Sequence, residues 1–209
     1  MWVLYKLKMK KIVLCICFFF VAEMAFAQVK PIFFNGDDVI SDSTKSTSYA
    51  IYGKLTTENL WVFKRYDLYN NLIQTGSYID SLLSIPHGKF VFYNYIADFN
   101  AQRNENFKLK NKMIYLSQQG NFVNGAEQGS WLLFYPDGNI LNLQNFEAGK
   151  QNGKFCTYDK YGKILIEGNY KNGKRDGEWL FSREKLKIVY DMDLTVSTTS
   201  LTKRSKKKN

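Results

Sequence analysis

Histidine is almost missing from this chain: one residue, His87, in 209. That excludes sites built on two imidazoles, most zinc hydrolases and zinc fingers among them. Cysteine is nearly as scarce, with three residues, two of which (Cys15 and Cys17) lie near the N-terminus. Proline occurs three times, so no Pro-rich linker is present, and no apolar run is longer than Ile12 to Ala22. That run falls short of the roughly 20 residues a membrane-spanning helix needs. Acidic residues are outnumbered, 19 against 29 Lys plus Arg, which gives a formal charge of +10. What is abundant is aromatic: 16 Phe, 14 Tyr and 4 Trp, within 45% hydrophobic residues overall. Such a composition folds; it is not that of a disordered chain.

The N-terminus reads as an address. Lys6, Lys8, Lys10 and Lys11 precede the short apolar run, Glu23 ends it, and Ala25-Phe26-Ala27 has the small-x-small form of a cleavage site. Residues 1–27 are therefore expected to be a signal peptide, with Met1 or Met9 as the start. The expected location is the periplasm, the outer membrane or the outside of the cell. Cleavage leaves Cys156 as the one cysteine, so no internal disulfide is expected.

Past residue 60 the sequence repeats itself. Gly120, Gly129, Trp131 and Gly138 recur 24 positions later as Gln144, Gly153, Phe155 and Gly162, and after another 24 as Gly168, Gly177 and Trp179. Upstream, Tyr66-Asp67-Leu68-Tyr69-Asn70 matches Tyr158-Asp159-Lys160-Tyr161-Gly162, and Gly76 matches Gly168. Five copies can be keyed on Phe63, Phe90, Trp131, Phe155 and Trp179. A fixed period of this size marks a repeat architecture. Each copy reads as two short strands and two turns. Tyr135-Pro136-Asp137-Gly138 and Asn172-Gly173 carry the residues that tight turns require. The expected fold is all-β: an antiparallel β-hairpin repeat meander of about five 24-residue repeats, forming an elongated single twisted sheet with no room for helices. The expected organisation is an N-terminal cap and loop over 28–60, repeats over 61–190 with an inserted loop at 97–112, and a basic flexible tail over 191–209.

The pattern of an aromatic, Asn-Gly-Lys, a glycine and then Trp or Phe resembles MORN-type repeats. It is most similar to the MORN-variant repeats of the bacterial YwqK-like antitoxin family. Asn172-Gly173-Lys174-Arg175-Asp176-Gly177-Glu178-Trp179 is the clearest match, and the resemblance covers 61–190. It implies a stack of hairpins serving as a contact surface for proteins or, in some members, acidic lipid headgroups. The antitoxin label implies a toxin partner.

Candidate chemistry is thin. His87 aligns with Gln128, Asn152 and Asp176, a slot that accepts any polar residue and so reads as a turn position. Cys156 aligns with Leu132 and Leu180 and reads as a small buried apolar side chain. Asp37-Asp38 with Asp42 lacks the acidic terminus of a calcium loop and reads as turn residues. No catalytic, cofactor or metal residue is nominated, and the chain is expected not to be an enzyme. Candidate contact residues are Tyr69, Tyr95 and Tyr161 on turns, and the basic run Lys203, Arg204, Lys206, Lys207 and Lys208. These point to a protein-interaction module in the cell envelope with an unidentified protein partner. The alternatives are an immunity protein neutralising one toxin, and a binder of acidic lipid or envelope polysaccharide acting through the tail. Nucleic acid is not an expected partner.

Overall fold

The computed structural model describes residues 31–55 and 57–201. The expected signal peptide and the run Lys203–Lys208 lie outside the described residues. Fourteen strands make one open antiparallel sheet, as the repeat implies. They are β1 (Ile32–Asn35), β2 (Asp38–Ile40), β3 (Ser48–Leu55), β4 (Leu60–Asp67), β5 (Leu72–Tyr78), β6 (Gly88–Tyr95), β7 (Ile114–Val123), β8 (Ala126–Phe134), β9 (Ile140–Glu147), β10 (Lys150–Tyr158), β11 (Ile164–Lys171), β12 (Lys174–Phe181), β13 (Leu186–Asp191) and β14 (Leu194–Ser200). From β4 to β14 each strand lies beside the one before it, and on the other side of β3 come β1 and then β2.

Aromatic rings lying over glycines hold one face together. Phe63 pairs with Gly76, Phe90 with Gly120 and Phe155 with Gly168. The ring of the next copy covers each glycine: a Cβ on Gly76, Gly120 or Gly168 would come within 2.3, 2.0 or 2.2 Å of Phe90, Trp131 or Trp179. Only glycine leaves that space. The covering rings are consequently buried, at 2% to 3% exposure. Neighbouring rings meet mostly edge to face, as at Phe122 and Trp131 with centroids 5.0 Å apart, a geometry that the ring quadrupole favours. At the opposite end of each copy, Gly129, Gly153 and Gly177 have φ of 71°, 96° and 73°, a backbone region that side chains resist.

The ladder has one gap. Position 144 should hold a glycine by the 24-residue pitch but holds Gln, which pairs with both Trp131 and Phe155. A chain of amides fills the space: Gln151 donates to Gln144 at 2.7 Å, Gln144 to Asn142 at 2.6 Å, and Asn142 to the Cys156 carbonyl at 3.0 Å.

Three expectations about the segments outside the repeat need correction. The inserted segment 97–112 is not all loop, because Ile96–Arg103 forms a helix, α1. Ile96 and Phe99 anchor it in a cluster with Tyr115, Tyr135 and Leu141. About half of the described residues within 28–60 are strand: β1 and β2 form a hairpin through Gly36 (φ 59°), and β3 runs eight residues against β4. The region after 191 does not begin as a tail, since β14 pairs with β13 from Leu194 to Ser200.

Candidate functional site

The turns that follow β4, β8, β10 and β12, the α1 insertion and the chain's exit after β14 all lie at the same end of the strands. Leu201 is fixed there by its N–H, which donates to the Lys185 carbonyl at 2.7 Å.

Two of these turns are built alike. The carboxylate of Asp67 accepts from the N–H groups of Tyr69 and Asn71, both at 2.8 Å. The carboxylate of Asp159 accepts from those of Tyr161 and Lys163, both at 2.9 Å. An aspartate closing a turn on its own following amides is a common local device. Its effect here is to hold Tyr69 and Tyr161 outward, each 83% exposed. Tyr95, the third candidate tyrosine, is used differently. Its hydroxyl donates to the second Asp67 oxygen and accepts from the Asn71 side chain at 3.0 Å. Burial pushes the Asp67 carboxyl up, but the hydrogen bonds from Tyr95, Asn71 and the two amides outweigh it and hold it below the usual aspartate value. The same hydrogen bond to Asp67 raises the Tyr95 hydroxyl, with burial adding to the effect.

A groove of about 810 Å³ runs between the insertion and the β8–β9 turn, lined by Asn71, Tyr93, Lys110, Met113, Phe134 and Pro136 among others. Met113 is 68% exposed at its rim. The insertion is tied to the next turn by an ion pair between Lys160 and Glu105 at 3.0 Å, which raises the Lys160 ammonium above its ordinary value. Positive charge is in excess on this end: Arg103, Lys108, Lys110, Lys112, Lys163, Arg183 and Lys185 are exposed, against exposed Asp98, Asp137 and Glu184.

The other candidates fall elsewhere. His87 lies at the opposite strand ends; its Nδ1 accepts from the Asn124 N–H at 3.3 Å, and its backbone closes onto Ser77. Cys156 is fully buried. Asp37 pairs with Arg65 at 3.1 Å, and Asp42 caps the short 3₁₀ turn Ser43–Lys45. Among the described residues, no group of three His, Cys, Asp or Glu side chains could hold a metal ion. The sequence named Tyr69 and Tyr161 but missed the groove. Its walls come from the insertion, where no repeat signal points to contact between segments.

No family model, curated protein or solved structure matches the chain. The resemblance to MORN-type repeats thus rests on the residues of the chain itself.

Proposed function

We propose that this chain is an exported, non-enzymatic interaction module of the cell envelope. Its contact surface is the strand end that carries the α1 insertion. One observation carries this reading: two copies of the repeat, 92 positions apart, hold a tyrosine outward with the same aspartate turn, at the end where the groove opens. Exposed tyrosines held by a stiff turn are economical anchors, because they offer a large amphipathic area and lose little rotamer freedom on binding. Lysines around them supply a polar rim. Immobilised residues 28–209 should retain one stoichiometric envelope protein. The Tyr69→Ala/Tyr161→Ala pair should lose it, and Lys171→Ala at the opposite strand ends should keep it. Retention by all three alike would overturn the assignment of the surface.

A second reading is supported by the charge. Seven exposed Lys and Arg side chains, against three exposed Asp and Glu, share that end with the residue, Leu201, that precedes the basic run of the sequence. Each Lys or Arg held near an acidic bilayer contributes about 1 kcal/mol of attraction, which falls off within a Debye length. In this reading the partner is an acidic lipid surface. Vesicles containing roughly 30% anionic lipid should then bind the protein at low salt. Binding should collapse with added salt and with removal of residues 203–208; binding that is indifferent to salt rejects it.

A further inference from the structure

β7 keeps its pairing with β6 back to Ile114, but its pairing with β8 stops at Gln118 and Leu133. Past that point Ile114–Leu116 and Phe134–Gly138 both line the groove, together with Leu109–Met113 of the insertion. The groove is therefore built where two strands part and the insertion walls off the gap. Its volume, about 810 Å³, is that of a site for a small ligand or a few residues of a chain.

The lining is divided by chemistry. Tyr93, Leu116 and Phe134 are half-buried and give it an apolar base, and Met113 stands 68% exposed at the rim. An exposed methionine beside aromatic rings is an adaptable apolar contact. Lys110 and Lys112 are exposed on the insertion side. Lys160 has its charge answered by Glu105, but Lys110 and Lys112 make no ion pair among the described residues. Acceptors complete the lining. Asp137 is exposed on the β8–β9 turn. The Asn71 side chain donates its amide nitrogen to Asp67 and Tyr95, which leaves its carbonyl oxygen to offer.

We propose that this groove docks a short acidic peptide segment of the partner protein, with an apolar side chain on the base and carboxylates toward Lys110 and Lys112. Charge complementarity selects acids on the ligand. The acceptors select a peptide: its N–H groups can donate to Asp137 and to the Asn71 carbonyl, whereas an anionic acyl chain would use the lysines and the base but has no donor for either acceptor. The proposal rests on the reading of this strand end as the contact surface and names the chemistry of what that surface takes.

The test is selection from a phage-displayed library of random heptapeptides on immobilised residues 28–209, followed by fluorescence anisotropy of the selected peptides. Sequences that combine Asp or Glu with Leu, Phe or Met should be enriched, and their binding should weaken with added salt. Met113→Glu, at an exposed position, should weaken the best peptide by about tenfold or more. Lys110→Glu/Lys112→Glu should weaken it by about threefold to tenfold. Circular dichroism should be unchanged in both. The same peptide with its acids replaced by lysine should bind the Lys110→Glu/Lys112→Glu variant more tightly than the parent, a rescue that misfolding cannot produce. No enrichment, enrichment of basic or uncharged sequences, or binding indifferent to both variants would each overturn the proposal. Laurate binding that Met113→Glu abolishes, with no peptide selected, would overturn it in favour of an acyl chain. The groove and the wider surface fail separately. If Tyr69→Ala/Tyr161→Ala loses the envelope protein while Met113→Glu keeps it and no peptide is selected, the surface stands and the groove falls. If the tyrosine pair keeps the envelope protein but Met113→Glu loses the selected peptide, the assignment of the surface falls and the groove stands.

Discussion

Gly120→Ala is the sharpest perturbation of the ring-over-glycine design. The added methyl would sit 2.0 Å from Cδ2 and 2.2 Å from Cε2 of Trp131. Carbon atoms in contact prefer about 3.5 Å or more, so the indole must withdraw by roughly 1.5 Å. Trp131 is 3% exposed and packs edge to face on Phe122. Overpacking of this kind costs about 1–3 kcal/mol, and a disturbed aromatic pair adds about 0.5–1.5 kcal/mol. Alanine in place of a strand glycine returns about 0.5–1 kcal/mol through the unfolded chain. The expected net loss is about 0.5–4 kcal/mol. The sign should depend on the ring. In a Trp131→Ala background, itself about 3–5 kcal/mol less stable, the same Gly120→Ala change should be neutral or slightly stabilising. Urea unfolding of the four proteins, followed by far-UV circular dichroism at one pH, gives the coupling directly. An equal cost for Gly120→Ala in both backgrounds would refute the reasoning, because the clash would then not be with Trp131.

Single contacts set the other expected outcomes. The Trp131 indole N–H is buried without a hydrogen-bond partner, while that of Trp179 donates to the Asn169 carbonyl at 3.1 Å; Trp179→Phe should therefore cost about 1 kcal/mol more than Trp131→Phe in urea titrations. The Asp67 carboxyl is held below its unfolded value of about 3.9, so its contribution is complete above that pH and is lost as pH falls through the folded value. Asp67→Asn should flatten the loss of stability below about pH 4 in acid titrations. Phe99 ties α1 to Tyr115 and Tyr135 at ring distances of 5.7 and 5.8 Å; Phe99→Ala should cost about 3–4 kcal/mol if the cavity stays open, and should speed proteolysis within 96–112 most of all.

The repeat was legible because two requirements select glycine at a fixed spacing: at Gly76, Gly120 and Gly168 a ring leaves no room for a Cβ, and a positive φ in a turn favours glycine without demanding it. The same dependence explains what stayed hidden. The turn into β14 puts Met192 and Asp193 at φ of 49° and 74°, hairpin geometry without the glycine that advertises it. With Ser and Thr beyond it, the last strand has the composition of a tail. α1 lacks a side-chain cap at Tyr95 and has two buried residues, Ile96 and Phe99. Amid Asn and Gln these make no helical stripe strong enough to read. The tyrosines at the contact surface are visible through turn chemistry, whereas the groove depends on where the insertion folds back.

Gln144 gives this sheet a seam. A structure in which each strand leans only on its neighbours behaves as a line of linked units, and a break in its side-chain ladder is a place for such a line to part. On one side of the seam rings run unbroken from Phe34 to Phe146; on the other they run from Phe155 to Tyr190. Between them stand amides: Gln144 and Gln151 are half-buried and within reach of water, while Asn142 is buried on the Cys156 carbonyl. When part of this molecule opens, the strands beyond β9 should leave together, and those before it should remain.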